Sequence, residues 1–222
     1  ARPPPSLLRA PSPPLATPDR CTLPHRSPSS FAAYAMASEG GPPVQASAAG
    51  AVDLFHLLSN LKTTKRTGWV NHGVEGPESI ADHMYRMSVM AFIGAGEAGL
   101  DQAKCVQLAI AHDIAEAVVG DITPNDPITK EEKHKLESDA VQRIKMMLGG
   151  AASGQQIQDL WNEYENAATP EAELLKDLDK LEMILQADEY EAAQEGKDLS
   201  DFFRSTSGKF KTPVGQKWAE EV

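Results

Sequence analysis

Cysteine is almost absent from this sequence of 222 residues, occurring only as Cys21 and Cys105. Two cysteines so far apart in the chain make neither a disulfide framework nor a thiolate zinc site. We therefore expect the folded part to reside in a reducing, intracellular compartment. Apolar runs are also short, and none approaches the roughly 18 to 20 residues that a membrane-spanning helix needs. The sequence thus predicts a soluble protein without a membrane partner.

Basic residues are in the minority, with 21 lysines and arginines against 32 acids and a net charge of −11. Residues 1–49 hold four arginines and only two acids, so the rest of the chain is more acidic still. An acidic surface repels the phosphate backbone of DNA and RNA, which argues against a nucleic-acid polymer as partner. A small anionic ligand can still bind where a few cations cluster.

Residues 1–35 have a disordered composition, with nine prolines, five serines, four arginines and one acid. This segment resembles an organellar transit peptide, with Met36 as an alternative start, although a plain low-complexity extension is the competing interpretation. A linker rich in Gly, Ala and Pro follows at 40–50. We assign residues 1–49 to a disordered extension and 50–222 to a folded domain, in a plastid or mitochondrion if the extension is a transit peptide and otherwise in the cytoplasm.

Apolar residues recur at helical spacing through the rest of the chain, and no useful β alternation interrupts them. Pro77, Glu78 and Ser79 mark the start of the second predicted helix, and Gly120 closes the third. The six predicted helices have apolar positions at Val52 to Leu61, Ile80 to Ile93, Val106 to Ala117, Leu136 to Met147, Ile157 to Tyr164 and Leu174 to Leu185. The sequence therefore predicts an all-α domain.

An imidazole and three carboxylates are concentrated at the end of the third predicted helix. His112 and Asp113 lie in an otherwise apolar run, Glu116 comes four residues later on the same helix face, and Asp121 follows shortly after. A His-Asp pair by itself is more often an N-cap or a salt-bridged pair. Three clustered acids repel one another, and a divalent cation relieves that repulsion most simply.

Other helices can bring further ligands to the same core. His83 lies on the striped second helix, and Asp177 and Asp179 lie on the long leucine-rich sixth helix. That helix is apolar nearly all round, so periodicity does not decide between the two aspartates. Two imidazoles and two carboxylates suit Mn, Fe, Co, Ni or Zn better than the all-oxygen preference of Ca or Mg.

The order of these residues resembles the metal-binding signature of the HD-domain phosphohydrolase superfamily, which is all-α. The resemblance to its 5′-deoxynucleotidase family is more detailed and covers roughly Leu54 to Phe210 through the strings at 66–69, 77–87, 112–121 and 176–187. It implies an HD-domain helical bundle that hydrolyses deoxyribonucleoside 5′-monophosphates to deoxyribonucleosides and phosphate with one divalent metal. We also expect a homodimer.

The resemblance implies roles for eight residues by position. It gives the metal ligands as His83, His112, Asp113 and Asp179, the catalytic acids as Glu116 and Asp121, and the substrate-binding residues as Arg66 and Trp69. Glu116 would orient or deprotonate water, Asp121 would protonate the sugar 5′ oxygen, and Arg66 would neutralise phosphate. Trp69 corresponds less securely, because two residues separate it from Arg66. Without the resemblance, we would interpret Arg66 as part of a solvent-exposed basic turn and Trp69 as a residue that packs a loop on the core.

Two other functions compete with this one. The first is hydrolysis of a larger nucleotide by the same kind of site, but Lys62, Lys65 and Arg66 form only a small basic cluster, which suits one phosphate. The second is a non-catalytic, metal-binding helical nucleotide sensor. A purely structural metal has no need of Glu116, Asp121 or Arg66, which favours the enzyme.

Overall fold

The computed structural model describes residues 45–222 of the chain. This part is built from α1 (Ala48–Leu57), α2 (Ser59–Thr63), α3 (Thr67–Asn71), α4 (Ile80–Ala98), α5 (Gln102–Ala111), α6 (Glu116–Val119), α7 (Lys130–Met147), α8 (Ala152–Glu165), α9 (Pro170–Ala193), α10 (Ser200–Thr206) and α11 (Pro213–Ala219). Its β pairing is limited to an isolated bridge between Lys65 and Ser79. The all-α prediction is confirmed, and no helix described is long and apolar enough to cross a membrane.

The first described residues already belong to the folded domain. The Ser47 side chain accepts a hydrogen bond from the Gly50 N–H and caps α1, which begins at Ala48. The helix therefore starts two residues inside the range predicted as extension. The transit-peptide and disorder predictions for residues 1–35, and Met36, lie outside the described residues.

The core that positions the site lies between α4, α5 and α9. Ala91 and Ala95 on α4 are fully buried, and their small side chains let α5 approach closely. From α9, Leu178 and Leu181 fill the space between the other two helices. Burying each such leucine contributes about 1.5 to 3 kcal/mol relative to exposure. This packing holds the three helices in fixed register.

Both ends of α4 follow from its sequence. The Ser79 side chain accepts from the Asp82 N–H while the Asp82 carboxylate accepts from the Ser79 N–H, which forms a capping box. At the other end Gly99 adopts φ 68°, in the left-handed region where glycine ends helices. The predicted start at Ser79 is thus observed.

The third predicted helix is interrupted in the middle, where the sequence predicts continuity to Gly120. Here α5 ends at Ala111, and the chain turns through residues 112–115 before α6 begins. The Nδ1–H of His112 donates to the Ala109 carbonyl at 2.8 Å, and an unbroken helix would use that carbonyl for the Asp113 N–H. The side chain thus competes with the backbone and ends the helix at the site.

Periodicity also fails at the two ends of the domain. The first predicted helix is divided into α1 and α2 at Leu58, and α3 was not expected inside the polar run that follows. The short helices α10 and α11 were not predicted. Each has only seven residues, which is too few to display a clear apolar period.

Candidate metal centre and its cavity

Three helices bring four potential ligands to one point. His83 comes from the second turn of α4, His112 and Asp113 from the turn after α5, and Asp179 from the middle of α9. The His83 Nε2 atom lies 3.3 Å from His112 Nε2, 3.7 Å from Asp113 Oδ2 and 3.4 Å from Asp179 Oδ1. The fourth distance, from His112 Nε2 to Asp113 Oδ2, is 3.1 Å. The other three predicted ligands thus each lie within 3.7 Å of His83 Nε2. The donor atoms of His83, His112 and Asp113 all lie within 4.8 Å of one another, and Asp179 joins this group through His83.

These separations fit one shared cation. Nitrogen and oxygen ligands bound at about 2.0 to 2.2 Å with tetrahedral or octahedral angles lie about 3.0 to 3.5 Å apart. Three of the measured distances, 3.1, 3.3 and 3.4 Å, lie in this range, and the distance of 3.7 Å between His83 and Asp113 is slightly longer. Two ring nitrogens facing each other at 3.3 Å would also need a proton between them if no metal were there. The donor set therefore fits a divalent metal.

The two aspartates of α9 contact different parts of the fold. Asp179 faces the cluster, and its other oxygen accepts from the Tyr164 hydroxyl at 2.9 Å. Asp177 points to another part of the fold, where Oδ2 accepts from the N–H groups of Lys211 and Thr212 at 2.8 and 2.7 Å. Asp177 therefore fixes the loop before α11, and Asp179 is the one placed to bind a metal.

Arg66 lies directly beside the ligand cluster. Its guanidinium nitrogen is 3.3 Å from Asp113 Oδ2. Burial opposes the charge on Asp113, but His112 and Arg66 hold the pKa of this carboxyl below its usual range. Burial also acts against Arg66, and the surrounding carboxylates, Asp113 first, raise its pKa. An arginine this close to the ligands can bind an anion that also contacts the metal.

Glu116 is buried beside the cluster and has an unpaired oxygen. It is 4% exposed, and its Oε2 atom has no hydrogen-bond partner among the described residues. Burial, then the charges of Asp113 and Asp121, raise the pKa of Glu116 well above its usual value. A buried, unsatisfied carboxyl costs stability, so a functional reason for keeping it is expected.

Asp121 is held in place by the residue after Arg66. Its Oδ2 atom accepts from the Thr67 N–H at 2.5 Å, and the Thr67 hydroxyl donates to the Asp121 carbonyl at 2.8 Å. These two bonds tie the start of α3 to the loop after α6. Asp121 is therefore fixed beside the segment that carries Arg66, and both residues line the cavity described below.

Trp69 packs more tightly than the sequence indicates. It is 2% exposed, its Nε1–H donates to Glu78 Oε1 at 2.8 Å, and its ring contacts Tyr190 and Phe202 with centroids 5.4 and 4.4 Å away. This residue does pack a loop on the core. One edge of it nevertheless lines the cavity described next.

A cavity of about 300 Å³ opens next to the ligand cluster. Its lining includes the charged residues Arg66, Asp113, Glu116 and Asp179 and three aromatic rings, Trp69, His72 and Phe202, of which the first two contact Phe202. This volume is at the lower end of the range for small-molecule sites. A lining with both charged and aromatic residues suits a ligand that has both an anionic and a flat apolar part.

Three further residues support the site and were not predicted from the sequence. Tyr164 holds Asp179, Lys133 lines the cavity, and Glu182 accepts from His83 Nδ1–H at 2.5 Å. Glu182 is an acid among the buried leucines of α9, which is the same signal that marks Asp179. Tyr164 and Lys133 carry no comparable signal, because only the tertiary fold brings them to the site.

Comparison with known proteins agrees with this arrangement. A sequence model of the family described as HD domain matches residues 58–218. The chain belongs to the HD domain family. The histidine and the His-Asp pair that the family resemblance implied as ligands lie together in the fold, as do Glu116 and Asp121.

Named relatives of this HD domain chain cover most of its length. A Dictyostelium discoideum protein named 5′-deoxynucleotidase HDDC2 is 49% identical over 182 residues, covering 77% of this chain and 95% of the relative. The Homo sapiens protein of the same name is 45% identical, covering 73% and 79%. A solved structure of a conserved hypothetical protein from Pyrococcus furiosus is 32% identical with a TM-score of 0.63, covering 77% and 95%.

Proposed function

We propose that this HD domain protein is a metal-dependent 5′-deoxynucleotidase, which hydrolyses deoxyribonucleoside 5′-monophosphates to deoxyribonucleosides and phosphate. The observation that carries the proposal is that a cluster of four candidate ligands around His83 Nε2 adjoins a cavity lined by a buried glutamate with an unpaired oxygen and by an arginine. Relatives at 45 and 49% identity are named 5′-deoxynucleotidases, which supports the substrate class.

His83, His112, Asp113 and Asp179 would hold the metal. When bound, a divalent cation supplies a Lewis acid for the phosphoryl group and lowers the pKa of water. Mn, Fe, Co, Ni and Zn all suit two imidazoles and two carboxylates, so the donor set leaves a choice among these five.

Residues of the protein supply phosphate binding, the general base and the general acid. Arg66, beside Asp113, binds the equatorial phosphate oxygens and balances the charge that develops on them. Glu116 has a free oxygen beside the ligand cluster, and in its ionised form it accepts the proton of the attacking water. Asp121, held by Thr67 at the rim, donates a proton to the departing 5′ oxygen of the sugar. The aromatic residues of the cavity lining receive the nucleoside, with its sugar and its base.

The number of cations favours a single phosphate over a larger nucleotide. Arg66 and Lys133 are the basic residues that line the described cavity, and Lys133 already donates to the Ile122 carbonyl and lies 3.5 Å from Glu137. A triphosphate would bring more negative charge than these two cations balance. A non-catalytic sensor would gain nothing from the unpaired Glu116.

We also propose a homodimer, which is supported by an apolar stripe on α4. Tyr85, Val89 and Phe92 are 73, 43 and 57% exposed and follow one another at i, i+4 and i+7. A second copy packed on this stripe would bury it. Sedimentation of the wild type and of Val89→Glu tests this, with a monomeric wild type as the contrary result.

Phosphate release from a panel of nucleotides tests the function. The chelated protein is reloaded with each divalent metal in turn and offered 5′-monophosphates of deoxyribose and ribose, 3′-monophosphates, triphosphates and cyclic dinucleotides. We expect turnover to require metal and to be highest for deoxyribonucleoside 5′-monophosphates. His112→Ala should lose both metal and activity. Metal-independent turnover, or turnover confined to larger nucleotides, would contradict the proposal.

A further inference from the structure

Glu182 contacts the metal-facing histidine of α4 from the opposite edge of the ring. Its Oε2 atom lies 2.5 Å from His83 Nδ1, and both side chains are completely buried. A carboxylate oxygen can only accept a hydrogen bond. Nδ1 therefore carries a proton and donates it to Glu182, and Nε2 is the ring nitrogen that faces the other ligands.

Two carboxylates of α9 contact the two ring nitrogens of His83. Asp179 and Glu182 are three residues apart on α9 and so share a helix face. Asp179 lies 3.4 Å from Nε2 while Glu182 binds Nδ1. The ring of His83 is thereby fixed between two carboxylates of the same helix.

Arg86 completes the arrangement one turn after His83 on α4. Its Nε and its NH2 group lie 2.8 and 2.7 Å from Glu182 Oε1. A second hydrogen bond, 2.7 Å long, joins Arg86 to Gln186, and Glu189 binds the same guanidinium at the surface. Glu182 thus has both oxygens satisfied and its charge balanced, as a buried carboxylate requires.

The other histidine is supported differently. His112 Nδ1–H donates to the Ala109 carbonyl three residues earlier, so the local turn alone sets its orientation. His83 lies within the regular helix α4, whose carbonyls are already occupied by backbone N–H groups. Its ring needs a partner from another helix, and α9 supplies one.

A second cation between Glu78, His83 and Glu182 would be an alternative explanation, since their donor atoms lie within 4.8 Å of one another. The contact of 2.5 Å between Nδ1 and Oε2 is too short for two atoms that share an ion, which lie about 3.0 Å or more apart. Arg86 also places a positive charge against the same carboxylate. A proton, not a metal, occupies this edge.

We propose that Glu182 is a positioning residue of the metal centre, which fixes the tautomer and orientation of His83, with Arg86 fixing Glu182 in turn. The inference rests on the metal site of the proposed function. Partners of this kind typically change metal affinity by about 10- to 100-fold when they are removed.

Metal affinity, measured by chelator competition with Co²⁺ and Mn²⁺, tests the proposal without any substrate. Glu182→Gln, which keeps the size and removes the charge, should weaken binding about 10- to 100-fold and alter the Co²⁺ absorption spectrum. The matched control is Glu189→Gln, which removes a carboxylate from the same helix and the same arginine without touching His83. It should bind as the wild type does.

The outcomes separate this inference from the proposed function. Wild-type affinity in Glu182→Gln overturns the positioning role alone, provided that Asp179→Asn has lost the metal. A wild type that binds no metal overturns both. If Glu182→Gln does not fold, the imidazole nitrogen resonances of the Zn²⁺-loaded wild type decide the question. A proton on Nδ1 of His83 supports the proposal, and a neutral Nε2–H tautomer overturns it.

Discussion

Asp177 and Asp179 lie two residues apart on α9, but their carboxylates bind different parts of the domain. Asp177 accepts two backbone N–H groups and the Thr212 hydroxyl, which fixes the loop before α11. Asp179 lies 3.4 Å from the His83 ring nitrogen. One helix thus supplies a structural acid and a metal-facing acid from neighbouring positions.

Exchanging each aspartate for asparagine should separate these two roles. Asp179→Asn should fold and lose stoichiometric metal, since it removes a charged ligand. Asp177→Asn should keep the metal but melt lower, because hydrogen bonds to a charged group contribute about 1.5 to 3 kcal/mol. Elemental analysis and thermal melts measure the two effects. Metal loss in Asp177→Asn with full metal in Asp179→Asn would reverse the assignment.

Glu116→Gln should keep the metal and lose most of the turnover. Glu116 lines the cavity with an unpaired oxygen, and the candidate ligands His112, Asp113 and Asp179 lie within 3.7 Å of His83 Nε2 without it. Loss of a general base typically lowers the rate by about 10²- to 10⁴-fold. Single-turnover rates and metal content are measured on the same sample. A parallel fall in both would identify Glu116 as a ligand.

The same substitution should stabilise the metal-free protein in a pH-dependent way. Because the pKa of Glu116 is raised well above 4.5, the folded state keeps a proton that the unfolded chain has lost at higher pH. Stability therefore falls as pH rises from about 4.5 towards the folded-state pKa, and Glu116→Gln removes this loss.

Melts in chelator check this dependence. Glu116→Gln and the wild type should have the same melting temperature near pH 4. Between pH 4.5 and 7 the melting temperature of the variant should rise above that of the wild type, by about 2 to 4 °C for each 1 kcal/mol of added unfolding free energy. Glu131→Gln, an exposed exchange on α7, is the control. An advantage for Glu116→Gln that is the same at pH 4 and pH 7 would be inconsistent with a raised pKa.

The sequence predicts a site residue when its immediate neighbours in the chain already mark it as unusual. The His112-Asp113 pair and His83 stand out because polar groups inside apolar helices need partners. Periodicity does not choose between Asp177 and Asp179, since α9 is buried on nearly all sides and only the loop at Lys211 distinguishes them.

The break between α5 and α6 shows a different limit. Propensity and apolar spacing favour one helix to Gly120, and a single side-chain hydrogen bond from His112 to Ala109 ends it instead. Tyr164 is also beyond sequence reasoning, because it lies 15 residues before Asp179 on a separate helix and meets it only through the fold. Glu182 could have been found as another acid on the apolar helix.

Truncation tests where the domain starts. Deletion of residues 1–44 should leave the melting temperature and the phosphatase rate unchanged, because their composition favours disorder. Deletion of residues 1–49 should lower the melting temperature, although the sequence alone predicts no effect. This longer deletion removes the Ser47 cap and the start of α1. Loss of such a cap costs about 1 kcal/mol. Equal melting temperatures for the two truncations would show that the cap contributes nothing.

The preference for deoxyribose is expected to depend on Trp69. If the sugar lies against this cavity wall, a 2′-hydroxyl would lose water without a partner, at about 1 to 3 kcal/mol or about ten- to a hundred-fold in kcat/KM. Trp69→Ala should raise ribonucleotide turnover relative to deoxyribonucleotide turnover. Because Trp69 is 2% exposed, this variant should also lose about 3 to 5 kcal/mol of stability, so Trp69→Phe is the better folded probe.

Two further variants isolate the effect on the sugar. Val70→Ala, a half-exposed neighbour on α3, should leave the dAMP to AMP ratio unchanged. Arg66→Ala should lower kcat/KM for both nucleotides by the same factor, because both carry the phosphate that Arg66 binds, and its metal content is measured since Arg66 also touches Asp113. Comparable kcat/KM values for dAMP and AMP in the wild type would refute the sugar preference while leaving metal-dependent phosphohydrolysis intact.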